Sequence, residues 1–564
     1  MMNQGGTPMA HSRRRRSIAI TVPAALLGAV AMAGSAIAVS GNQVIIGEDQ
    51  DLPTLNSIAF GGNQASVNRI TCPIQCENLL GLSNKFQYTA VLATRVPSGK
   101  DITVSPKFTV TFHIRPDAKW SDGQPVTSKD VKFTWQKQLD KKFKVASRSG
   151  WEEITDIKTP DAKTATLVFK RVFVPWRDIF NPSGGARLLP EHILKGKDLN
   201  TVWTNPDPKV FIGTGPFLLK QYIKGQRVIL ERNKNYWNKK AQPKIDTIVD
   251  QILKTTTSQA VQLKSKEVNF IESGAFGQAL LDLKSIKNVK VDSVPSLTWE
   301  HLAFNFSDPV VGDVHVRRAI SYALNPAEII KTSTLGTTRP LFSFLIPEQA
   351  PFYKPSWNRY KPDPAKVDSE LKAAGYAKNN GFYEKNGQPL TITFTTIAGN
   401  KTRETNFQLI KAQLEANGIK FGDPVFSPPD VLFGPTGPLN TGTYQVAEFA
   451  FQGSSDPSPT QLFGSAYIPT AASPSGQNVY HINDPNLDKL LAAQDKEISV
   501  AKRVVLEQKI QDLMADRDYV FPLYQRPQVD AYASNLNGAV NNPSQIGGTD
   551  GAQNWFYTGG KAIR

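Results

Sequence analysis

The stretch that decides the fold is Phe108–Gln136, which reads FTVTFHIRPDAKWSDGQPVTSKDVKFTWQ. Its apolar side chains first alternate, at Phe108, Val110, Phe112 and Ile114. They then recur at every fourth position, at Val131, Trp135 and, three residues beyond the stretch, Leu139. Alternation is typical of a half-buried strand, whereas the wider spacing is typical of a helix with one apolar face. The stretch therefore predicts a strand that leads through a short connection into an amphipathic helix.

The connection between the two carries its own local signals. Asp122-Gly123 predicts a turn, because glycine accepts positive φ without steric cost. Thr127 followed three residues later by Asp130 resembles a capping box, in which the two residues satisfy the free amides of a helix start. Turn chemistry and periodicity therefore predict the same boundary.

Four segments of the chain resemble, in order, the signature segments of a known family. They are Trp120–Val131, with the pattern Trp-Ser-Asp-Gly-x-Pro-x-Thr-x-x-Asp-Val, then Gly213–Phe217, Glu231–Trp237 and Asn305–Leu324. In these segments the chain resembles the extracytoplasmic solute-binding proteins of ABC importers, family 5, whose members bind oligopeptides, dipeptides or nickel. The resemblance covers nearly the whole chain after its N-terminal segment.

This resemblance implies an α/β fold of the two-lobed periplasmic-binding-protein type (class II or cluster C), with an extra subdomain in the first lobe. A composition of 40% hydrophobic and 20% charged residues, with many prolines and glycines, fits a mixed α/β globular protein. The expected division is residues 1–38 as a signal peptide, 41–88 as the first part of lobe I, 89–208 as its extra subdomain, 209–297 as its second part, 298–518 as lobe II, and 519–564 as a return to lobe I.

The resemblance also implies a mechanism and partners. We expect a monomer that captures a peptide or small polar solute by hinge closure and delivers it to the membrane subunits of an ABC permease. No cofactor is expected. ATP hydrolysis belongs to separate subunits in such importers, and the chain has no Gly-x4-Gly-Lys-Ser/Thr phosphate loop.

Residues 1–38 have the layout of a secretory signal peptide. A cluster of arginines, Arg13–Arg16, precedes an apolar run from Ile18 to Met32, and Ala36-Ile37-Ala38 supplies a cleavage site. We expect export to the periplasm or the outer face of the cell envelope. An uncleaved membrane anchor stays open as the alternative. No cysteine lies near residue 38, so lipid anchoring is not expected.

The chain has two cysteines, Cys72 and Cys76. An oxidising compartment favours a disulfide between them, although the short span with Pro73 inside leaves two buried thiols as the alternative. No further cysteine or histidine cluster completes a set of metal ligands, so we expect no metal site.

The formal net charge of +16 raises the question of nucleic-acid binding. The lysines are dispersed among acidic residues, with only short runs such as Lys141-Lys142. A solvated surface explains this distribution, since nucleic-acid binding requires basic residues gathered on one face. We therefore expect no nucleic-acid partner.

Catalytic motifs are absent from the sequence. There is no Gly-x-Ser-x-Gly elbow and no His-Glu-x-x-His pair, and the histidines are scattered at positions 11, 113, 192, 301, 315 and 481. We expect a binding protein, not an enzyme. Sequence cannot pair carboxylates across a cleft, so a secreted hydrolase stays open as a rival. A receptor-fold protein used in envelope assembly or signalling is a third hypothesis.

A ligand site between lobes needs aromatic surfaces and a few polar groups that fix orientation. Trp299 and His301 lie on a predicted strand that crosses between the lobes, where they could face the cleft or the core. A polar loop follows Phe451. The candidate ligand-binding residues are Asn56, Trp299, His301, Phe451, Gln452, Ser454 and Asp456.

The loop at residues 451–457 resembles the family's Asp-Tyr-x-x-Pro cleft loop, with one departure. Where peptide-binding relatives have an aspartate that faces the ligand's α-amino group, this sequence has Gly453. A buried ammonium group without a carboxylate partner is costly. Either Asp456 replaces that aspartate, or the ligand is a saccharide or another solute without a free amine; Asp456 could also serve only to shape the turn before Pro457.

Overall fold

The computed structural model describes residues 42–562, apart from residues 49, 51, 60, 61, 63, 146, 149, 183–186, 254, 472, 474, 475, 545 and 546. The predicted signal peptide at residues 1–38 lies outside these described residues. In the described part of the chain, no helix combines the length and the apolar character needed to span a bilayer.

The strands, in chain order, are β1 Gln43–Glu48, β2 Leu80–Leu82, β3 Tyr88–Ala90, β4 Ile102–Thr103, β5 Thr109–His113, β6 Ile154–Asp161, β7 Thr164–Phe169, β8 Phe217–Ile223, β9 Arg227–Arg232, β10 Thr247–Ile252, β11 Phe270–Ser273, β12 Val289–Phe304, β13 Arg339–Pro340, β14 Ala377–Asn379, β15 Phe382–Lys385, β16 Gln388–Pro389, β17 Thr391–Ile392, β18 Phe394–Ile397, β19 Lys420–Phe421, β20 Val425–Ser427, β21 Val446–Gln452, β22 Val520–Ala533, β23 Leu536–Asn537 and β24 Phe556–Tyr557.

The α-helices are α1 Ala65–Gln75, α2 Ser128–Leu139, α3 Trp176–Ile179, α4 Glu191–Leu194, α5 Thr256–Ser265, α6 Gln278–Lys284, α7 Val314–Ala323, α8 Pro326–Ser333, α9 Pro364–Ala373, α10 Lys401–Ala416, α11 Pro429–Leu432, α12 Pro438–Thr441, α13 Thr460–Phe463, α14 Pro485–Gln494 and α15 Val500–Asp516. Short 3₁₀ turns occur at Gly99–Asp101, Trp151–Glu153, Pro347–Gln349, Ser356–Arg359, Ser465–Tyr467 and Ala552–Asn554.

One long sheet organises the described residues, with strand order β20-β18-β21-β12-β22-β11-β1-β10-β9-β8 and β13 paired to β22. Its two longest members, β12 and β22, are antiparallel to each other. Towards one end of the pair, β22 is hydrogen-bonded to β11. Towards the other end, β12 is hydrogen-bonded to β21. The fold is therefore a mixed α/β fold whose two halves share a pair of continuous strands.

The apolar cores follow the same division. One large cluster is built from residues between 297 and 524, and we call the part of the protein around it lobe II. The remaining clusters of the described residues are built from residues 44–291 and 529–557, and we call this part of the protein lobe I. Lobe I also carries a separate four-stranded sheet of order β4-β5-β7-β6.

The predicted strand, turn and capped helix are confirmed as β5 and α2. Gly123 has a φ of 88°, which is the conformation expected of a glycine in this turn. Asp130 accepts a hydrogen bond from the Thr127 amide at 2.8 Å and one from the Glu191 amide at 2.9 Å. Trp120 Nε1 also donates to Asp130, at 3.4 Å. This segment thus fixes how α2 packs in lobe I.

Candidate ligand-binding site

The crossing strand β12 places Trp299 and His301 on the same side of the sheet. Their rings stack with centroids 4.0 Å apart, and His301 Nε2 lies 2.8 Å from the Tyr480 hydroxyl. Both side chains are buried, with exposed fractions of 1% and 0%. Burial lowers the pKa of His301 to about 3, so this imidazole is neutral at physiological pH.

Strand β21 adds Phe451 to this aromatic group, because Trp299 is its partner across the ladder. The Phe451 ring is stacked with that of His301 at 6.0 Å, and it is only half-buried. Gln452, the next residue, is exposed. The aromatic group therefore runs from the interior of lobe II to the start of the loop that follows β21.

The loop after β21 is held by backbone contacts. The Gly453 amide donates to Leu297 O at 2.9 Å, and Gln349 Nε2 donates to Ser454 O at 2.8 Å. A Cβ atom on Gly453 would lie 3.5 Å from Leu297 O, which is an ordinary contact distance. The backbone does not require glycine here. Packing therefore does not explain why this position lacks a carboxylate.

Asp456 forms an ion pair with a side chain that no sequence pattern indicated. It accepts a hydrogen bond from the Arg503 guanidinium of α15, which also donates to Pro457 O at 2.7 Å. The exposed fractions of the Arg503 and Asp456 side chains are 3% and 9%. Arg503 is therefore the counter-ion of Asp456, and it also ties down the turn at Pro457.

A second group of charges lies beside the aromatic residues, and sequence reasoning missed it. Arg403 Nε donates to Glu300 Oε1 at 2.6 Å, and Arg526 Nε lies 2.8 Å from Glu300 Oε2. Asn406 Nδ2 donates to Glu448 Oε1 at 2.6 Å. The only sequence signal was a glutamate inside the apolar strand Leu297–Phe304.

The electrostatics of these two glutamates differ. Burial would raise the pKa of Glu300, but Arg403 and Arg526 outweigh burial and hold that pKa below its usual value. Burial, with the nearby charge of Glu300, raises the pKa of Glu448 to about 8. We therefore assign the negative charge to Glu300 and a proton to Glu448 at neutral pH.

The two lobes touch in the structure. The Val174 amide of lobe I donates to Asp495 O of lobe II at 3.0 Å. Phe86, at the tip of the β2–β3 hairpin, packs against the lobe II core, and Phe276 lies 5.8 Å from the Tyr524 ring. The two lobes are therefore in contact through side chains and loops as well as through β12 and β22.

Residues 88–463 match the family described as bacterial extracellular solute-binding proteins, family 5 middle. The chain belongs to this family. It is 26% identical over 463 residues to the oligopeptide-binding protein OppA of Mycobacterium tuberculosis, covering 77% of this chain and 72% of that protein.

Solved structures of similar proteins support the same two-lobed fold. The periplasmic EDTA-binding protein EppA superposes with a TM-score of 0.81 at 22% identity, over 93% of this chain and 97% of that one. The oligopeptide-binding protein AppA of Bacillus subtilis, solved with a nonapeptide, gives a TM-score of 0.76 at 20% identity, over 92% and 99%. The predicted fold class is thereby confirmed.

Family membership decides between two of the sequence hypotheses. The chain is a solute-binding protein, not an enzyme, so the secreted hydrolase is set aside. Within the residues that the structure describes, no group of three or more histidine, cysteine, aspartate or glutamate side chains is arranged to hold a metal ion.

The structure brings most predicted ligand residues of this binding protein together. Trp299, His301 and Phe451 share one aromatic group, and Gln452, Ser454 and Asp456 follow in the adjoining loop, where Ser454 Oγ donates to Asp456 O at 2.5 Å. Asn56 instead bonds inside lobe I, because its Nδ2 donates to Leu199 O at 2.7 Å. A ligand contact by any of these residues stays a prediction.

Cys72 and Cys76 lie on and just after helix α1, and their sulfur atoms are joined as a disulfide. Both side chains are buried, together with Leu82. That this disulfide forms in the exported protein stays a prediction.

Proposed function

We propose that this solute-binding protein captures a peptide or a similar polar solute between its lobes and presents the closed form to an ABC permease. Closure around a ligand is explained by differential affinity, because the ligand touches both lobes only when they are closed. The observation that carries the proposal is the pair β12 and β22, which are continuous through both lobes, while the other contacts between the lobes named above are made by side chains and loops. The name of the OppA relative and the nonapeptide complex of AppA support peptide as the ligand.

We further propose the boundaries stated from the sequence: lobe I from residues 41–88, 89–208, 209–297 and 519–564, and lobe II from residues 298–518. The proposal includes export by a cleaved signal peptide at residues 1–38, without lipid attachment, to the periplasm or the outer face of the envelope. We propose that the protein acts as a monomer and has no nucleic-acid partner. These statements are supported by the sequence features given above.

A second candidate ligand is a saccharide or another solute without a free amine. Gly453 offers no carboxylate, and Asp456 is paired with Arg503. A ligand ammonium group at this loop would have to displace a buried arginine to find a counter-ion, which is costly. This observation favours a ligand that brings no amine to the loop.

One experiment separates the two candidates. The chain from residue 39 is purified without denaturation, and any bound small molecule is identified by mass spectrometry. Binding of a peptide pool and of its N-acetylated counterpart is then compared by calorimetry. If the ligand is a peptide held without amine recognition, both pools bind equally. A sugar-bearing species, with no binding of either pool, supports the second candidate.

The variant Gly453→Asp sharpens the comparison. A side chain at this position makes ordinary contacts, so the variant is expected to fold. We expect it to favour the free-amine pool over the acetylated pool by roughly tenfold, because a new carboxylate would face the amine. Equal affinity for both pools in the variant would show that the ligand amine does not reach this loop.

A further inference from the structure

Three parallel strands of lobe II end at the same edge of the long sheet. Strand β18 pairs in parallel with both β20 and β21, so the carboxyl ends of all three strands lie together. The loop with the candidate ligand residues leaves β21 at this edge, and the connection from β20 into helix α11 leaves it there as well. In open α/β sheets, ligands bind outside the carboxyl ends of the strands. Helix α11 therefore begins at the edge of the sheet that carries the candidate site.

Aromatic contacts join the end of α11 to the candidate site. Phe433, the residue after α11, packs edge-on against Phe449, with ring centroids 5.8 Å apart. The Phe449 ring in turn lies 5.4 Å from that of Phe451. Side chains two residues apart on a strand share a face, so both rings project from the same face of β21. Phe433 and Phe451 are thus in contact with one common ring.

The common ring is buried, whereas the two rings that contact it reach the surface. Phe449 is 0% exposed and Phe433 is 45% exposed, while Phe451 is half-buried. A single exposed apolar side chain is common on soluble proteins. Two exposed aromatic rings beside a polar loop, however, have the composition of ligand sites, which combine aromatic surface with a few polar groups. We call Phe433 and Phe451 the aromatic rim.

The backbone around Phe433 is held by contacts within its own segment. Asn440 Nδ2 donates to Phe433 O at 3.2 Å and to Gly434 O at 2.7 Å. Gly437 packs so closely that a Cβ atom on it would lie 2.1 Å from Val431 O. The exposed ring is therefore fixed before a ligand arrives, which lowers the entropic cost of binding.

We propose that the aromatic rim binds an apolar side chain of the ligand, aromatic side chains best, so that the protein selects peptides that carry such a residue. The inference rests on the peptide capture proposed above and names the ligand chemistry at the same site. Pairs of aromatic rings are favourable beyond the area that they bury. Because Asp456 is already paired with Arg503, apolar contact and not charge distinguishes ligands at this edge of the sheet.

The test compares two pools of pentapeptides, one with a phenylalanine at one position and one with serine in its place. Calorimetry with the chain from residue 39 measures the affinity for each pool. We expect the wild type to bind the phenylalanine pool roughly tenfold more tightly, because a phenyl ring is then partly removed from water. In Phe433→Ala this preference should fall to about threefold or less, while the affinity for the serine pool stays unchanged.

A conservative variant checks that the effect is due to apolar contact. Phe433→Leu keeps an apolar side chain and should keep part of the preference for the phenylalanine pool. Urea unfolding of both variants should match that of the wild type, since the side chain is 45% exposed. A preference that is lost to the same extent in Phe433→Leu and Phe433→Ala, or a loss for both pools alike, would contradict the proposed contact.

Phe426 of β20 supplies the matched control. Its ring is 38% exposed and packs edge-on against Phe407 of α10 at 6.1 Å. Helix α10 lies on the other face of the sheet, because its Asn406 bonds to Glu448, which alternates with Phe449 on β21. Phe426→Ala therefore removes a similar exposed ring away from the aromatic rim, and it should keep the wild-type preference.

The outcomes separate this inference from the proposed function. Equal affinity of the wild type for both pools, an unchanged preference in Phe433→Ala, or an equal loss in Phe426→Ala overturns the proposal and leaves peptide capture intact. Binding of neither pool, with a saccharide identified in the purified protein by mass spectrometry, refutes both the proposed side-chain contact and peptide capture.

Discussion

Among the buried groups of acids and arginines in the described part of the chain, two differ in what holds them together. The crossing-strand cluster comprises Glu300, Glu448, Arg403 and Arg526, on β12, β21, α10 and β22. The three strands among these elements are joined by ladders of hydrogen bonds from β21 through β12 to β22. The second group is the ion pair of Asp456 and Arg503, which joins the loop after β21 to helix α15.

This difference has an energetic consequence. The crossing-strand cluster is desolvated once, when the chain folds, and two arginines keep Glu300 ionised thereafter. The Asp456–Arg503 pair depends on the packing of one loop on α15. Buried charge is thus held by the sheet in one region and by loop packing in the other.

The largest expected effect is on the crossing-strand cluster. Arg403→Met removes the closest partner of a fully buried Glu300, and we expect the free energy of unfolding to fall by about 3–5 kcal/mol. Urea unfolding measures the change. Lys401→Met, on the same helix with a side chain 89% exposed, is the matched control and should change stability by less than about 0.5 kcal/mol. Equal effects of the two variants would mean that the cluster has no special role.

A smaller effect is expected at the Asp456–Arg503 pair. Arg503→Met leaves Asp456 without its counter-ion, but Asp456 lies in a loop, which can shift to return that carboxylate to water. We therefore expect a loss of about 2 kcal/mol in unfolding free energy, measured by urea unfolding. Lys502→Met, an exposed neighbour on α15, should change stability by less than about 0.5 kcal/mol. A loss as large as that of Arg403→Met would remove the contrast between the two groups.

The smallest effect is expected in the signature segment, which belongs to neither cluster. Trp120→Phe removes the bond to Asp130 and part of a buried ring, which should cost about 1–2 kcal/mol. Trp135→Phe is the control, since Trp135 Nε1 has no hydrogen-bond partner among the described residues. Neither variant should change ligand affinity measured by calorimetry. A loss of affinity in Trp120→Phe would show that the signature segment does more than build the scaffold.

Local patterns predicted the scaffold well. The β5 strand and the start of α2 were predictable because alternation, a turn glycine and Thr127 with Asp130 act within a few residues of one another. The predicted strand with Trp299 and His301 also exists, as part of β12. The sequence left open whether these two side chains face the cleft or the core, and the structure buries both.

The polar contacts of the candidate site were not predictable in the same way. Glu300 and Arg403 are 103 residues apart, and Asp456 and Arg503 are 47 apart. No periodicity or spacing rule links residues at such separations, because their contact depends on how α10 and α15 pack on the sheet. The glutamate in an apolar strand was visible, but its partners were not.

The sequence by itself determined the family, the order of strands and helices around Phe108–Gln136, and the absence of a carboxylate at Gly453. These features depend on residue identity and on interactions between neighbours in the chain. Only the tertiary structure decided that Asp456 is paired with Arg503 and that Glu300 is paired with Arg403 and Arg526. The physical reason is desolvation: an acid keeps or loses its charge according to the groups and the water around it, and long-range packing sets both.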